Sequence, residues 1–434
     1  MKRPMRMLAV AGITAAALAL AGCAGSPNSD AKSTDSGSGG DAKTTLSVSV
    51  WDYAATPEFK ALFDAFHAAN PNITIQPVDV PNAADYEAKV TTMLAGGDST
   101  DIITVKNLTD YSGYASKQQL LNLNSVEKQV PADKLAGLDS YKYKGTYYAL
   151  PYRTDFSVLF YNKTMFQQAG LDAPDNLTWD EFASDAAKLT SGSGANKVYG
   201  AYVHTWNSLV QGIAAVQNDK DLNDPSDYSY LADQYNMMLK LQKAGDIPNY
   251  GEATSQKLAY QTEFETGKAA MVPMGTWLIA PLLADKAKGV SVPDWGIAQL
   301  PQIKSGGKIV TDGGPTGFGI NKNSKNQAAA KKFIEFAASE KGAEAVASIG
   351  IVPSYQSSAI TTKYFGLTGM PQDDLSKKAF APDSVKPDQP VSPNTAAIGT
   401  VLNQEHQLIM TGGKSVDDGL KEMESLVKSQ ALSQ

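Results

Sequence analysis

The hydrophobic pattern changes period twice within the first stretch after residue 44. Leu46-Ser47-Val48-Ser49-Val50-Trp51 alternates apolar and polar positions, the two-residue period of a half-buried strand. Pro57 to Ala69 then places Phe59, Leu62, Phe63 and Phe66 three and four residues apart, which predicts a helix with one apolar stripe. Asn72 to Val78 predicts a second strand, Tyr86 to Leu94 a second helix and Asp101 to Val105 a third strand. Strand and helix in alternation predict an α/β fold with a mainly parallel sheet. Ligands of such sheets meet the loops beyond the carboxyl ends of the strands, which nominates Asp52, Tyr53, Lys106 and Asn107.

Further along, Tyr141 to Tyr152 predicts a hairpin with its turn at Lys144-Gly145-Thr146, and Ser157 to Tyr161 a separate strand. Thr164 to Ala169 predicts a short helix stopped by Gly170. Thr178-Trp179-Asp180-Glu181-Phe182 opens another, with Thr178 as cap and Glu181 three residues on. Val198 to Val203 and Met271 to Gly275 read as strands, and no repeat of solenoid period is present.

The amino terminus changes the picture. Lys2, Arg3 and Arg6 precede an apolar run from Leu8 to Leu20 that is short for a permanent membrane span, the pattern of a signal peptide over residues 1–22. The run ends in Leu20-Ala21-Gly22-Cys23, which resembles a bacterial lipobox and makes Cys23 a lipidation site. It is the chain's one cysteine, so the mature protein is expected to hold no internal disulfide. Residues 23–44, rich in Gly, Ser, Asp, Thr and Lys, read as a flexible tether, because so little apolar surface cannot offset the entropy of ordering it. The expected location is the extracytoplasmic face of a cell membrane, with a two-chain anchor.

Charge excludes one class of partner. The formal charge of -7 becomes -10 when the three basic residues Lys2, Arg3 and Arg6 are removed, so nucleic acid is not an expected ligand. Beyond the tether, about 390 residues exceed what one hydrophobic core serves, and two lobes are expected.

Four motifs in order carry a family resemblance. Leu159-Phe160-Tyr161-Asn162-Lys163-Thr164-Met165-Phe166 through Gly170 is similar to a "YNK..F..AG" segment, and Thr178 to Phe182 to a "TWDEF" segment. Phe264-Glu265-Thr266-Gly267-Lys268-Ala269-Ala270-Met271 followed by Met274-Gly275-Thr276-Trp277 is similar to "F..GKAAM...G.W", with Gly313 to Lys322 and Ala329 to Ala337 completing the set. Together they resemble the family 1 extracellular solute-binding proteins of ATP-binding-cassette importers, the maltodextrin binders among them. The resemblance implies a two-lobe periplasmic-binding-protein fold with three hinge crossings and a ligand cleft between the lobes. It implies crossings near Pro151 to Phe156, Asp312 to Gly317 and Ser339 to Ala343, hence an N-terminal lobe of 45–152 plus 316–339 and a C-terminal lobe of 155–312 plus 343–434. It also implies delivery of the solute to membrane permease subunits, by a monomer and without a cofactor.

A sugar offers an apolar face of C–H groups and an equator of hydroxyls, so its site needs aromatic platforms and short polar side chains. Trp277 stands where the family motif places a stacking tryptophan. Trp206 falls where relatives carry a second platform, and Asn207 beside it can meet hydroxyls with both ends of its amide. Arg153 and Asp155 lie on the first crossing and can either bind the solute or brace the hinge. Asp312, Gly313 and Gly314 lie on the second, where glycine suits a hinge because it accepts unusual φ. After Val105, where maltodextrin binders place an aromatic, this chain has Lys106 and Asn107, so maltodextrin specificity does not carry over. Trp179 and Trp295 read as packing residues.

The expected solute is therefore a sugar, an oligosaccharide by preference, with a non-sugar solute as the alternative on the same fold. A secreted glycoside hydrolase would need two carboxyls about 5 to 9 Å apart, and no motif marks such a pair. His67, His204 and His406 are scattered without metal-ligand spacing, and no nucleophile elbow is present.

Overall fold

The structure is a computed structural model that describes residues 43–432. The leader, Cys23 and nearly all of the tether lie outside the described residues. Among the described residues eleven strands are formed: β1 (Thr44–Trp51), β2 (Ile73–Val80), β3 (Ile102–Val105), β4 (Lys142–Tyr143), β5 (Thr146–Tyr147), β6 (Leu150–Asn162), β7 (Tyr199–Ala201), β8 (Ala269–Gly275), β9 (Trp295–Gln299), β10 (Val310–Ile320) and β11 (Ser384–Lys386). Nine of them join in the order β2-β1-β3-β10-β6-β8-β7, with β11 beside β10 and β9 beside β6.

The amino-terminal part follows the sequence pattern closely. The helix Pro57–Ala69 buries Phe59, Leu62, Phe63 and Phe66, and the last two meet Phe333 at ring distances of 5.7 and 5.1 Å. Thr178 and Glu181 form a complete capping box at the start of the helix Trp179–Leu189. β4 and β5 make the expected hairpin, whose turn residues Lys144 and Gly145 both have positive φ.

The sheet is mixed rather than mainly parallel. β1 pairs in parallel with β2 and β3, but β10 runs antiparallel to β3 and β6, and β6 antiparallel to β8 and β9. β6 is long because it joins residues 150–152, expected in the far arm of the hairpin, to the strand expected at 157–161. Its first half pairs with β10 as an antiparallel ribbon and its second half with β8 and β9, so β6 runs through both halves of the sheet.

Glycines in that ribbon serve space rather than φ. Gly313, Gly314 and Gly317 all lack positive φ. A Cβ on Gly313 would stand 2.4 Å from the Asp155 carbonyl oxygen, and one on Gly317 2.5 Å from that of Leu150. Gly314 alone has room, with Leu108 at 3.7 Å. The segment 339–343, where the third crossing is expected, starts a helix. Ser339 caps the helix Glu340–Ala347, which packs on the helix Pro57–Ala69. The chain meets the middle of β6 later, where Pro353 bridges Arg153, Thr154 N–H donates to the Val352 carbonyl and Ser354 N–H to that of Tyr152.

Candidate functional site

Arg153 and Asp155 sit mid-strand in β6 and are buried, which a strand tolerates only when such groups are partnered. Arg153 Nη1 donates to Glu58 Oε2 at 3.0 Å, and the other carboxylate oxygen of Glu58 accepts from the Tyr152 hydroxyl at 2.6 Å. Arg153 Nε stands 3.4 Å from Asp155 Oδ2, and Asp155 Oδ1 accepts from Thr276 Oγ1 at 2.8 Å. The chain of contacts thus runs from the first helix to the residue just before Trp277. Burial pushes the Glu58 and Asp155 carboxyls above the ordinary carboxylate range while Arg153 pulls them back. Burial opposes the charge on Arg153, but the two carboxylates outweigh it and hold the guanidinium protonated. Trp51 lies against this base, 6.0 Å from the Arg153 guanidinium carbon.

The strand-end residues nominated from the sequence are occupied by the protein itself. Lys106 pairs with Glu87 at 2.8 Å, donates to the Ala83 carbonyl at 2.9 Å and lies 5.4 Å from the Trp51 ring. Asn107 caps the helix Leu108–Ser116: its Oδ1 accepts from Asp110 N–H at 2.8 Å and its Nδ2 donates to the Asp110 carboxylate at 2.6 Å. Asp52 turns the chain at positive φ, its carbonyl accepting from the N–H groups of Ala55 and Thr56. Tyr53 stacks on Phe63 at 6.2 Å, and burial raises its hydroxyl pKa.

A second set of side chains around Arg153 forms an aromatic wall. Trp277 follows β8, and its indole lies flat over Gly275, where a Cβ would come within 2.0 Å of the ring. The motif glycine is therefore the floor of the tryptophan. Trp206, 42% exposed, meets Trp277 at 6.1 Å, Tyr260 at 5.8 Å and His204 at 4.5 Å. Tyr260 ties this cluster to the base: Arg153 and Asp155 both act on its hydroxyl, whose pKa burial raises. His204 Nδ1 lies 2.8 Å from the Tyr202 hydroxyl. That hydroxyl spends its own proton on the Leu258 carbonyl at 2.7 Å, so His204 carries its proton on Nδ1. Burial lowers the His204 pKa to about 4 and keeps the ring neutral at pH 7. Asn207 donates to Gln211 Oε1 at 2.7 Å.

Asp312 is buried on β10 with Oδ1 lacking a hydrogen-bond partner. Burial pushes its carboxyl up to about 7, Asp388 adds to the rise and Ser157 opposes it. Gly313 and Gly314 follow it against β6. Among the described residues no group of three or more His, Cys, Asp or Glu could hold a metal ion. No helix among them is long and apolar enough to cross a membrane.

The structure brings Trp277, Trp206, Arg153 and Asp155 into one neighbourhood and adds Tyr260, His204 and Glu58, which the sequence reading did not nominate. It binds Lys106 and Asn107 into other contacts. Trp179 and Trp295 are buried, in line with packing.

The chain is 36% identical to a sugar transporter from Rhizobium etli solved in an open conformation, with a TM-score of 0.74 over 89% of this chain and 99% of that one. A substrate-binding protein from Listeria monocytogenes in complex with cycloalternan shares the fold at 21% identity and a TM-score of 0.74, over 89% of this chain and 98% of its own. The multiple sugar-binding protein of Streptococcus mutans is 23% identical over 293 residues, 64% of this chain and 67% of its own length. A family model for the bacterial extracellular solute-binding proteins matches residues 53–344, motifs, ribbon and aromatic wall included, and the chain belongs to that family of binding proteins.

Proposed function

We propose that this protein captures a sugar, an oligosaccharide by preference, in the cleft between its two lobes and passes it to an ATP-binding-cassette importer. The observation that carries this reading is the aromatic wall of Trp277, Trp206, Tyr260 and His204 standing beside the Arg153–Asp155 base. Flat rings meet the C–H faces of sugars, and the neutral His204 and buried Asp155 suit hydroxyls better than they suit an ionic solute. Relatives whose names or bound ligands are sugars or polyols support the class: mannobiose, maltose, D-mannitol, cycloalternan and arabino-oligosaccharides appear among them. In this reading the ribbon of β6 and β10 is the hinge, and Asp312, Gly313 and Gly314 sit at the floor of the cleft. Calorimetric titration of the protein with maltose, mannobiose, cycloalternan, arabinotriose and mannitol tests it. Saturable binding of at least one is expected, and binding of none, alongside binding of an amino acid or peptide, overturns it.

The location follows from Leu20-Ala21-Gly22-Cys23: the protein is held at the outer face of the cell membrane by lipid on Cys23, with residues 23–44 as spacer. Cys23→Ser is expected to shift the protein to soluble fractions or to leave the precursor uncleaved. Unchanged membrane association of that variant would remove the anchor from the reading.

A further inference from the structure

The one polar atom of the Trp277 ring does not hold it in place. The indole nitrogen is buried without a hydrogen bond of good geometry, and Gly275, on which the ring lies, has no side chain to grip it. The three-residue turn Thr276–Leu278 that carries the ring starts at that glycine, so no side chain caps the turn. Pairing of β8 with β6 has also ended by then, at Gly275 opposite Ser157. A flat ring on a glycine floor can slide, so the backbone that carries it must be fixed by something else.

One polar contact reaches the turn from another element. Thr276 is fully buried, and its hydroxyl donates to Asp155 Oδ1 at 2.8 Å. Threonine branches at Cβ, so a hydrogen bond to its hydroxyl leaves χ1 no freedom. Asp155 is itself a fixed acceptor: it sits mid-strand in β6, and its Oδ2 stands 3.4 Å from the Nε of Arg153, whose Nη1 donates to Glu58 at 3.0 Å. All four side chains are buried. A carboxylate anchored on a strand thus sets the first residue of the turn, and the next residue is the platform.

We propose that Thr276 is a positioning residue for solute binding: its hydroxyl, held by Asp155, fixes the turn that presents the Trp277 ring to the cleft. The proposal rests on the reading of Trp277 as a sugar platform. It also gives Asp155 a task apart from meeting a solute, since one of its oxygens is committed to the aromatic wall.

Two measurements test it on the intact protein. The first needs no sugar. The ring current of an indole lying on Gly275 moves the α-protons of that glycine upfield, and Trp277→Ala gives their position without the ring. Thr276→Val, which keeps the shape and removes the hydroxyl, is expected to bring those protons at least halfway to the Trp277→Ala position, whereas Thr276→Ser, which keeps the hydroxyl, is expected to leave them near the parent's. Thr276→Ala removes the hydroxyl without placing a methyl against the Asp155 carboxylate, and so keeps the test open should Thr276→Val fail to fold. The second measurement is a double-mutant cycle on whichever of maltose, mannobiose, cycloalternan, arabinotriose or mannitol binds the parent most tightly. Thr276→Val is expected to weaken that binding about fivefold, Thr276→Ser to stay within about twofold of the parent, and Thr276→Val to cost nothing further in Trp277→Ala. Gly275 protons that keep the parent position in Thr276→Val overturn the proposal. So does unchanged affinity in that variant, or a loss that persists undiminished in Trp277→Ala, which would mark Thr276 as a general support of β8. A parent that binds no member of the panel would refute the sugar reading, while the Gly275 protons still decide the positioning.

Discussion

The two walls around the Arg153 base use their polar and aromatic groups in opposite ways. On the amino-terminal side, Lys106, Asn107 and Trp51 are committed to Glu87, Asp110 and the core. On the other, Trp206 is 42% exposed, while Trp277 is half-buried against the core with its Nε1 buried beside the Tyr260 hydroxyl. In the function proposed above, the first wall would hold shape and the second offer contact to the solute.

Breaking the base should have the largest effect. Arg153→Ala leaves Glu58 and Asp155 buried without their counter-charge, and about 3 to 5 kcal/mol of stability is expected to go, seen as a lower Tm. Removing the charges together, in Glu58→Gln with Arg153→Met, should recover most of that loss. A single variant as stable as the parent would show that the base is not a brace.

Asp312, buried on β10, gives a pH signature. A carboxyl raised from 3.8 to about 7 stays protonated in the folded state at pH values where the unfolded chain has released its proton. Stability should therefore fall as pH rises from about 4 to about 7 and level off above, by at most roughly 4 kcal/mol at about 1.4 kcal/mol per pH unit. Asp312→Asn should remove that slope in melting curves taken across the range. A slope that survives the substitution places the titrating group elsewhere.

Trp277→Ala sharpens the comparison on the contact side. It is expected to cost about 2 kcal/mol of binding, roughly thirtyfold in affinity, with the fold intact. Titration and melting of one sample separate this from a core role, which would cost about 3 to 5 kcal/mol of stability instead. The smallest effect belongs to the shape-holding wall: Asn107→Ala should lower stability by about 1 kcal/mol through the lost helix cap and leave affinity within twofold. Weaker sugar binding without a drop in Tm would return Asn107 to the contact side.

Local pattern made the first helix and the capping box readable, because Phe59, Leu62, Phe63, Phe66 and the pair Thr178 and Glu181 each satisfy a rule within one turn of chain. β6 was not readable as one strand. Arg153 and Asp155 interrupt its apolar run, and only partners distant in sequence, such as Glu58 and Thr276, explain why a strand continues through them. Trp277 was legible from its motif. Tyr260 and His204 were not, since each joins the site by ring contacts across more than fifty residues or around a turn. Lys106 and Asn107 were nominated by strand-end position, although Asn107 three residues before Asp110 already has the spacing of a helix cap.

The ribbon of β6 and β10 has a mechanical consequence. Two strands hydrogen-bonded to each other cannot turn independently, and the lack of space for a Cβ at Gly313 and Gly317 leaves no slack between them. With the ribbon as the proposed hinge, rotation of one lobe against the other would be taken up as torsion along the paired strands, as in a leaf spring, rather than as a swivel at one residue. The register shift between Thr316 and Gly317 is the soft point of that spring, so the axis of closure should run close to it, and stiffness as well as affinity becomes a quantity that the sequence of the ribbon can tune.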